Sequence, residues 1–211
     1  MTYIIIANGV MNDYSVAAPF LSGDFKLICC DGAVRHSFQM GIQPDFIVGD
    51  LDSADENILA YYKNNNTQFI TFPAEKDETD SALAVELAIK CGATKIVLLG
   101  MTGLRLDHTM SNLGLLVKCD NAGISAVMVD FCNSITLISR TKTLTSKKGS
   151  VLSLIPFGGD AFNVVTTGLQ YPLNGETLTF CDSRGVSNVF LGDRASVSLE
   201  RGLLLAIQPN L

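Results

Sequence analysis

No run of apolar residues in this chain approaches the ~20 needed to cross a bilayer. The N-terminal stretch MTYIIIANG also lacks the basic flank and long apolar segment of a signal peptide, so a cytoplasmic protein is expected. Positive charge is scarce: 15 Lys and Arg stand against 21 Asp and Glu, a formal net charge of -6. Binding to nucleic acid or to an anionic membrane through bulk electrostatics is therefore not expected, and any phosphate ligand would need a metal ion or local donors. Charged residues of both signs make up only 17% of the chain and apolar ones 47%, which argues for a compact globular protein rather than a disordered one. The cysteines (29, 30, 91, 119, 132 and 181) form neither a zinc ribbon nor a CxxC redox motif and are read as reduced packing residues. Also missing are the GxxxxGK[ST] phosphate loop, the GxGxxG dinucleotide fingerprint and the GxSxG serine-hydrolase elbow.

What is present divides the 211 residues into two textures. In residues 1–133, short apolar runs alternate with helix-like segments. Tyr3–Ala7, Lys26–Cys30, Phe46–Val48, Gln68–Phe72, Lys95–Leu99 and Ala126–Val129 read as buried strands. Ser81–Lys90 is the clearest helix, with Leu83, Ala84, Leu87 and Ala88 at helical spacing and Thr79 or Asp80 as its N-cap. Strict alternation of strand and helix implies a parallel α/β sheet covered on both faces, a Rossmann-like domain. In residues 134–211 the chain turns to Thr, Ser, Val and Gly with period-2 alternation, the pattern of a small antiparallel sandwich or barrel. There Val197 and Leu199, then Glu200-Arg201-Gly202, then Leu203, Leu205 and Ile207 predict a hairpin.

Ligands of open parallel sheets bind beyond the carboxyl ends of the strands, and four successive strand ends carry polar clusters. Asp31 follows Cys30; Asp50 and Asp52 follow Val48; Glu75, Asp77 and Asp80 follow Phe72; and Thr102, Gly103, Arg105, Asp107 and His108 follow Leu99. In FIVGDLDSAD, Ser53 or Asp55 suits a helix cap, but Asp50 sits too early for one. If the segment is extended, Asp50 and Asp52 point the same way. With Asp77 or Asp80 they make a hard oxygen site of the kind Mg²⁺ accepts together with phosphates. An EF-hand is excluded, because its sixth and twelfth positions would be Asp55 and Tyr61. GMTGLRLDH offers a glycine turn and Arg105 for phosphate oxygens, or else a helix start with a surface arginine. His108 is either an acid-base group or a hydrogen-bonded structural histidine.

Four blocks together resemble the thiamine pyrophosphokinase family: CCDGAVRHSFQMGIQPDFIVGDLDS, FPAEKDETDSALAVELA, GMTGLRLDHTMSNL, and the pair GLQYPL and SRGVSN. The resemblance implies an N-terminal α/β catalytic domain, a C-terminal β-sandwich that binds thiamine, and a homodimer with active sites at the subunit interface. It also implies a transfer of the pyrophosphoryl group of ATP to the hydroxyl of thiamine with Mg²⁺. Carried over by position, Asp50 and Asp52 would ligand the metal, completed by Asp77 or Asp80, with Asp31 on the same rim. Thr102, Gly103 and Arg105 would approach the phosphates, and Asp107 would face the reacting centre. Ser187 and Asn188 would contact the thiamine pyrimidine. Val189 stands where the family often has Glu, and with no Trp in the chain any stacking falls to Phe, Tyr or an aliphatic side chain. Two other classes compete. FIVGDLDS approaches the DxDx[TV] motif of haloacid-dehalogenase-type phosphatases, with Asp50 as nucleophile and Asp52 as acid, but it follows the third strand rather than the first. A non-catalytic thiamine or nucleotide sensor would bind without turnover.

Overall fold

The computed structural model describes residues 1–73 and 75–209, and the chain divides into two compact units, Met1–Phe131 and Cys132–Leu211. The first holds the strands β1 (Thr2–Ile6), β2 (Phe25–Cys30), β3 (Phe46–Gly49), β4 (Gln68–Thr71), β5 (Lys95–Leu99) and β6 (Ser125–Val129). Its helices are α1 (Val34–Gln39), α2 (Glu56–Asn64), α3 (Asp80–Lys90) and α4 (Leu106–Asn121). The strands run parallel in the order β6-β5-β1-β2-β3-β4. Successive residues Ile4, Ile5 and Ile6 are all fully buried, so both faces of the central strand are covered. That is why these strands carry unbroken apolar runs instead of alternation. Removing each such side chain from water contributes about 1.5–3 kcal/mol.

Caps set the helix starts. The Thr79 hydroxyl accepts from the Ala82 N–H and opens α3, and Asp55 accepts from the Asn57 and Ile58 N–H groups and opens α2. Ser53 is not a cap; its hydroxyl turns to Asp31 instead. From β1 the chain winds outward through β2, β3 and β4, then returns to β5 on the other flank of β1. The direction of winding reverses between β1 and β5, and the cleft that opens beyond their carboxyl ends is where such sheets bind ligands.

The second unit contains β7 (Asn133–Ile138), β8 (Thr141–Thr145), β9 (Val151–Pro156), β10 (Ala161–Thr167), β11 (Asn174–Leu178), β12 (Asn188–Val189), β13 (Arg194–Ser198) and β14 (Leu204–Pro209). They form antiparallel layers, β12-β9-β14-β7 and β11-β10-β13-β8, around one core that includes Leu152, Leu154, Val164, Phe190, Val197, Leu199 and Leu204. This is a β-sandwich. The expected hairpin at 200–202 does not form. β13 pairs with β10 and β8, whereas β14 pairs with β7 and β9 in the opposite layer. Alternation reports only that one face is buried, and both strands bury theirs in the same core from opposite sides. Gly202 makes the crossing, at φ +100 with a Cβ position only 2.3 Å from the Asp160 carbonyl oxygen.

No disulfide occurs among the described residues, and Cys29, Cys30 and Cys119 are core residues. Cys91 and Cys181 are exposed, which corrects the reading of all six as packing residues. Cys91 ends α3, and Cys181 lies in the turn after β11, both where the chain reverses at the surface.

Candidate active site

A cavity of about 700 Å³ opens at the carboxyl ends of β1, β2, β3 and β5, lined also by the starts of α3 and α4. Its floor is a pair of interlocked turns. The N–H of Gly9 donates to the Gly100 carbonyl at 2.8 Å and that of Val10 to the Thr102 carbonyl at 3.0 Å. A Cβ on Gly9 would fall 2.2 Å from the Thr102 oxygen, so the approach requires glycine. Three side chains hold the turns from behind. His36 Nε2–H donates to the Gly9 carbonyl (3.0 Å), the Arg35 guanidinium to the Asn8 carbonyl (3.3 Å), and the Asn112 amide to the Met101 carbonyl (2.8 Å). Burial lowers the His36 pKa, with nearby Arg35 adding to the effect. In the neutral ring, Nδ1 faces the Tyr14 hydroxyl at 2.9 Å, and that hydroxyl also bonds to Gln39 Oε1.

Carboxylates gather on the other wall. Oxygens of Asp31, Asp50 and Asp52 all lie within 4.8 Å of one another. Asp50 and Asp52 do not converge through an extended segment, as their spacing suggested. Leu51 adopts φ +67, and the Asp52 N–H donates to Asp50 Oδ1 at 3.3 Å, so a tight turn gathers the two side chains. That N–H lowers the Asp50 pKa, and the Asp50 charge raises that of Asp52. Asp31 is 8% exposed, itself at φ +46. Its Oδ2 accepts from the Ser53 hydroxyl, while Oδ1 is buried with no hydrogen-bond partner among the described residues. A buried carboxylate oxygen left this way is costly unless something compensates it.

The third member of the cluster is thus Asp31, where the spacing had suggested Asp77 or Asp80. Asp77 is exposed and lines the cavity without joining the cluster. Asp80 begins α3, and Lys76 reaches both it (2.9 Å) and Asp50 (3.6 Å). Burial opposes the Lys76 charge, but hydrogen bonding and attraction from Asp80 and Asp50 outweigh it and raise its pKa. Gly49 gives these groups room: a Cβ there would lie 2.9 Å from Asp31 Cβ and 3.3 Å from Asp80 Cγ.

Thr102, Gly103, Arg105 and His108 line the opposite rim. Thr102 donates to Asp130 at 3.1 Å. Arg105 occupies the N-cap of α4 and supplies no side-chain cap. Its guanidinium grips Asp107, whose pKa falls to about 2 through that bond. Asp107 is not among the lining residues, so its carboxylate serves Arg105 here rather than facing the cavity. His108 is exposed; the buried, hydrogen-bonded histidine is His36.

In the second unit Ser187 stands exposed at φ +60, its N–H donating to Ser153 Oγ. Asn188 is buried, and its side chain is spent on backbone: it accepts from the Tyr171 and Val189 N–H groups and donates to the Tyr171 carbonyl.

The model of the thiamin pyrophosphokinase catalytic domain matches residues 18–128, and that of the thiamin pyrophosphokinase vitamin B1 binding domain matches residues 136–204. The chain belongs to the thiamine pyrophosphokinase family. Among its relatives, thiamine pyrophosphokinase from Bacillus subtilis (strain 168) is 31% identical over 170 residues, covering 80% of this chain and 79% of that protein. Thiamine pyrophosphokinase 1 of Oryza sativa subsp. japonica is 26% identical over 217 residues, covering 90% and 81%. The crystal structure of the Bacillus subtilis thiamine pyrophosphokinase superposes over 100% of both chains with a TM-score of 0.91 and 28% identity. The yeast thiamin pyrophosphokinase structure, at 16% identity, shares the fold with a TM-score of 0.82 over 99% of this chain and 86% of its own.

Family blocks pointed to Asp31, Asp50 and Asp52 but not to the groups behind them. Lys76, His36, Arg35 and Asn112 went unassigned by sequence reasoning. Lys76 alone carried a usable signal, four residues before Asp80 in an otherwise acidic segment.

Proposed function

We propose that this member of the thiamine pyrophosphokinase family transfers the pyrophosphoryl group of ATP to the hydroxyl of thiamine, giving thiamine diphosphate and AMP. The observation that carries the reading is the buried, unpartnered Asp31 Oδ1 beside the Asp50 and Asp52 oxygens at the edge of the cavity. Three hard oxygen donors that repel one another, one already stripped of water, suit a divalent ion. Asp31, Asp50 and Asp52 would hold Mg²⁺, with Asp77 and Asp80 lining the same cavity. Bound there, the ion would neutralise triphosphate charge, which is most of what such a transfer requires.

The protein's own groups do the rest. The uncapped N-terminus of α4, Arg105 and the Thr102–Gly103 turn attract the phosphates. Because the Arg105–Asp107 pair is exposed, it is weakly held. A phosphate that draws Arg105 away releases the Asp107 carboxylate, ionised at any neutral pH, toward the cationic thiazolium or its hydroxyl. Ser187 presents its hydroxyl to the pyrimidine, and Asn188 fixes the backbone around it. We take the protein to act as a cytoplasmic homodimer, independent of nucleic acid and membranes. Among the described residues no helix is long and apolar enough to cross a membrane.

Incubation of the pure protein with ATP, Mg²⁺ and thiamine, followed by separation of products, is expected to yield AMP and thiamine diphosphate in equal amounts. Release of free phosphate from a phosphomonoester, without thiamine diphosphate, would overturn the assignment in favour of a phosphatase. Binding without turnover would overturn it in favour of a sensor.

A further inference from the structure

The same acidic wall that suits a divalent ion already contains a cation. Lys76 Nζ lies 2.9 Å from Asp80 Oδ1 and 3.6 Å from Asp50 Oδ2, and its side chain is only 16% exposed. Asp50 is shared: one oxygen faces the ammonium, while the carboxylate also belongs to the group of Asp31 and Asp52. A divalent ion entering that group therefore meets a unit positive charge a few ångströms away and competes with it for Asp50.

We propose that Lys76 is a resident counter-cation that holds Asp50 and Asp80 together before a metal binds and keeps the affinity of the protein alone for divalent ions low. The metal then enters with the polyphosphate, whose oxygens give the displaced ammonium a new partner. Lysine suits this exchange because its charge sits at the end of a flexible chain, unlike a metal fixed by rigid ligands. The segment carrying it lies ahead of the Thr79 cap, outside α3. Lys76 is thus a positioning residue that sets the order of binding. The inference rests on the metal reading above, and it is separable from it.

Mn²⁺ serves as the probe, its binding to the nucleotide-free protein followed by electron paramagnetic resonance. Withdrawing a unit charge so near the ion is expected to tighten Mn²⁺ binding roughly tenfold or more in Lys76→Met. Lys76→Gln, which retains a polar side chain, should move the same way and covers the case in which the methionine variant fails to fold. Lys76→Arg, which keeps the charge, should stay near the weak wild-type value; equal tightening in all three would assign the effect to shape and overturn the proposal. Unchanged or weaker binding in both neutral variants would also overturn it. Asp31→Asn separates the two readings. If it abolishes Mn²⁺ binding while the neutral variants match wild type, only the counter-cation role fails. If none of the proteins binds Mn²⁺, the counter-cation role fails, and if Asp31→Asn has no effect on Mn²⁺ binding where binding is seen, the metal reading fails as well.

Discussion

Gly49 shows how one missing side chain shapes the site. It ends β3 at φ +149, a conformation L side chains rarely adopt, and a Cβ there would press on Asp31 and Asp80 together. Gly49→Ala should cost stability of about 1–3 kcal/mol from backbone strain and should also push the two carboxylates apart. Gly23→Ala is the natural control, because Gly23 has φ +85 with nothing within 4 Å of its Cβ position. Urea denaturation should find both variants destabilised, but thiamine diphosphate formation should collapse only in Gly49→Ala. Equal activity in the two variants would mean that crowding at Asp31 does not matter. The acid identities at this site were legible in the chain because each follows an apolar run. That they meet on one rim was expected, but that Asp31 is the third member was not, because the grouping depends on the positive φ of Asp31 and Leu51, which neither residue type announces.

At the scale of elements, the short strand β12 is held by side-chain to backbone bonds as much as by its ladder. Asn188 satisfies both the N–H and the carbonyl of Tyr171, tying the 168–173 turn to β12. Asn188→Ala leaves those groups unpaired next to a buried position and should destabilise the protein by about 1–3 kcal/mol. A urea midpoint unchanged from wild type, with only the KM for thiamine raised, would instead make Asn188 a ligand group and not a scaffold. The elements differed in how readable they were for a physical reason. β1, β2, β3 and β5 carry consecutive buried residues, so their apolar runs stand out, and β5 appears at Lys95–Leu99 as its sequence suggests. β13 and β14 show the opposite case. Their alternation correctly marks one buried face each, yet nothing local distinguishes a hairpin from a crossover between layers, since both bury Val197, Leu199 and Leu204 in one core. Lys76 and His36 escaped notice because each acts on residues brought near only by the fold: His36 on Gly9, Lys76 on Asp50.

At the scale of the whole molecule, a buried base links stability to pH near neutrality. His36 is 4% exposed, donates from Nε2 to the Gly9 carbonyl and has Nδ1 against the Tyr14 hydroxyl. Its pKa in the folded protein is lowered from the ordinary 6.5, chiefly by burial. Below pH 6.5 the unfolded chain takes up a proton that the folded protein still refuses, so ν_U exceeds ν_N and stability rises with pH. The contribution of neutral His36 is therefore fully present above its unfolded pKa and is lost as pH falls toward the lowered folded value. Each unit of such a shift is worth about 1.4 kcal/mol. His36→Gln keeps an N–H for the Gly9 carbonyl and removes the titration. Urea midpoints at pH 7.5 and 5.5 should differ more in wild type than in this variant, because surface carboxylates titrate alike in both. Proton addition falls on Nδ1, against the Tyr14 hydroxyl, and leaves the Nε2–H bond to the Gly9 carbonyl in place. Identical pH dependence of the urea midpoint in the two proteins would show that the imidazole is not the group responsible.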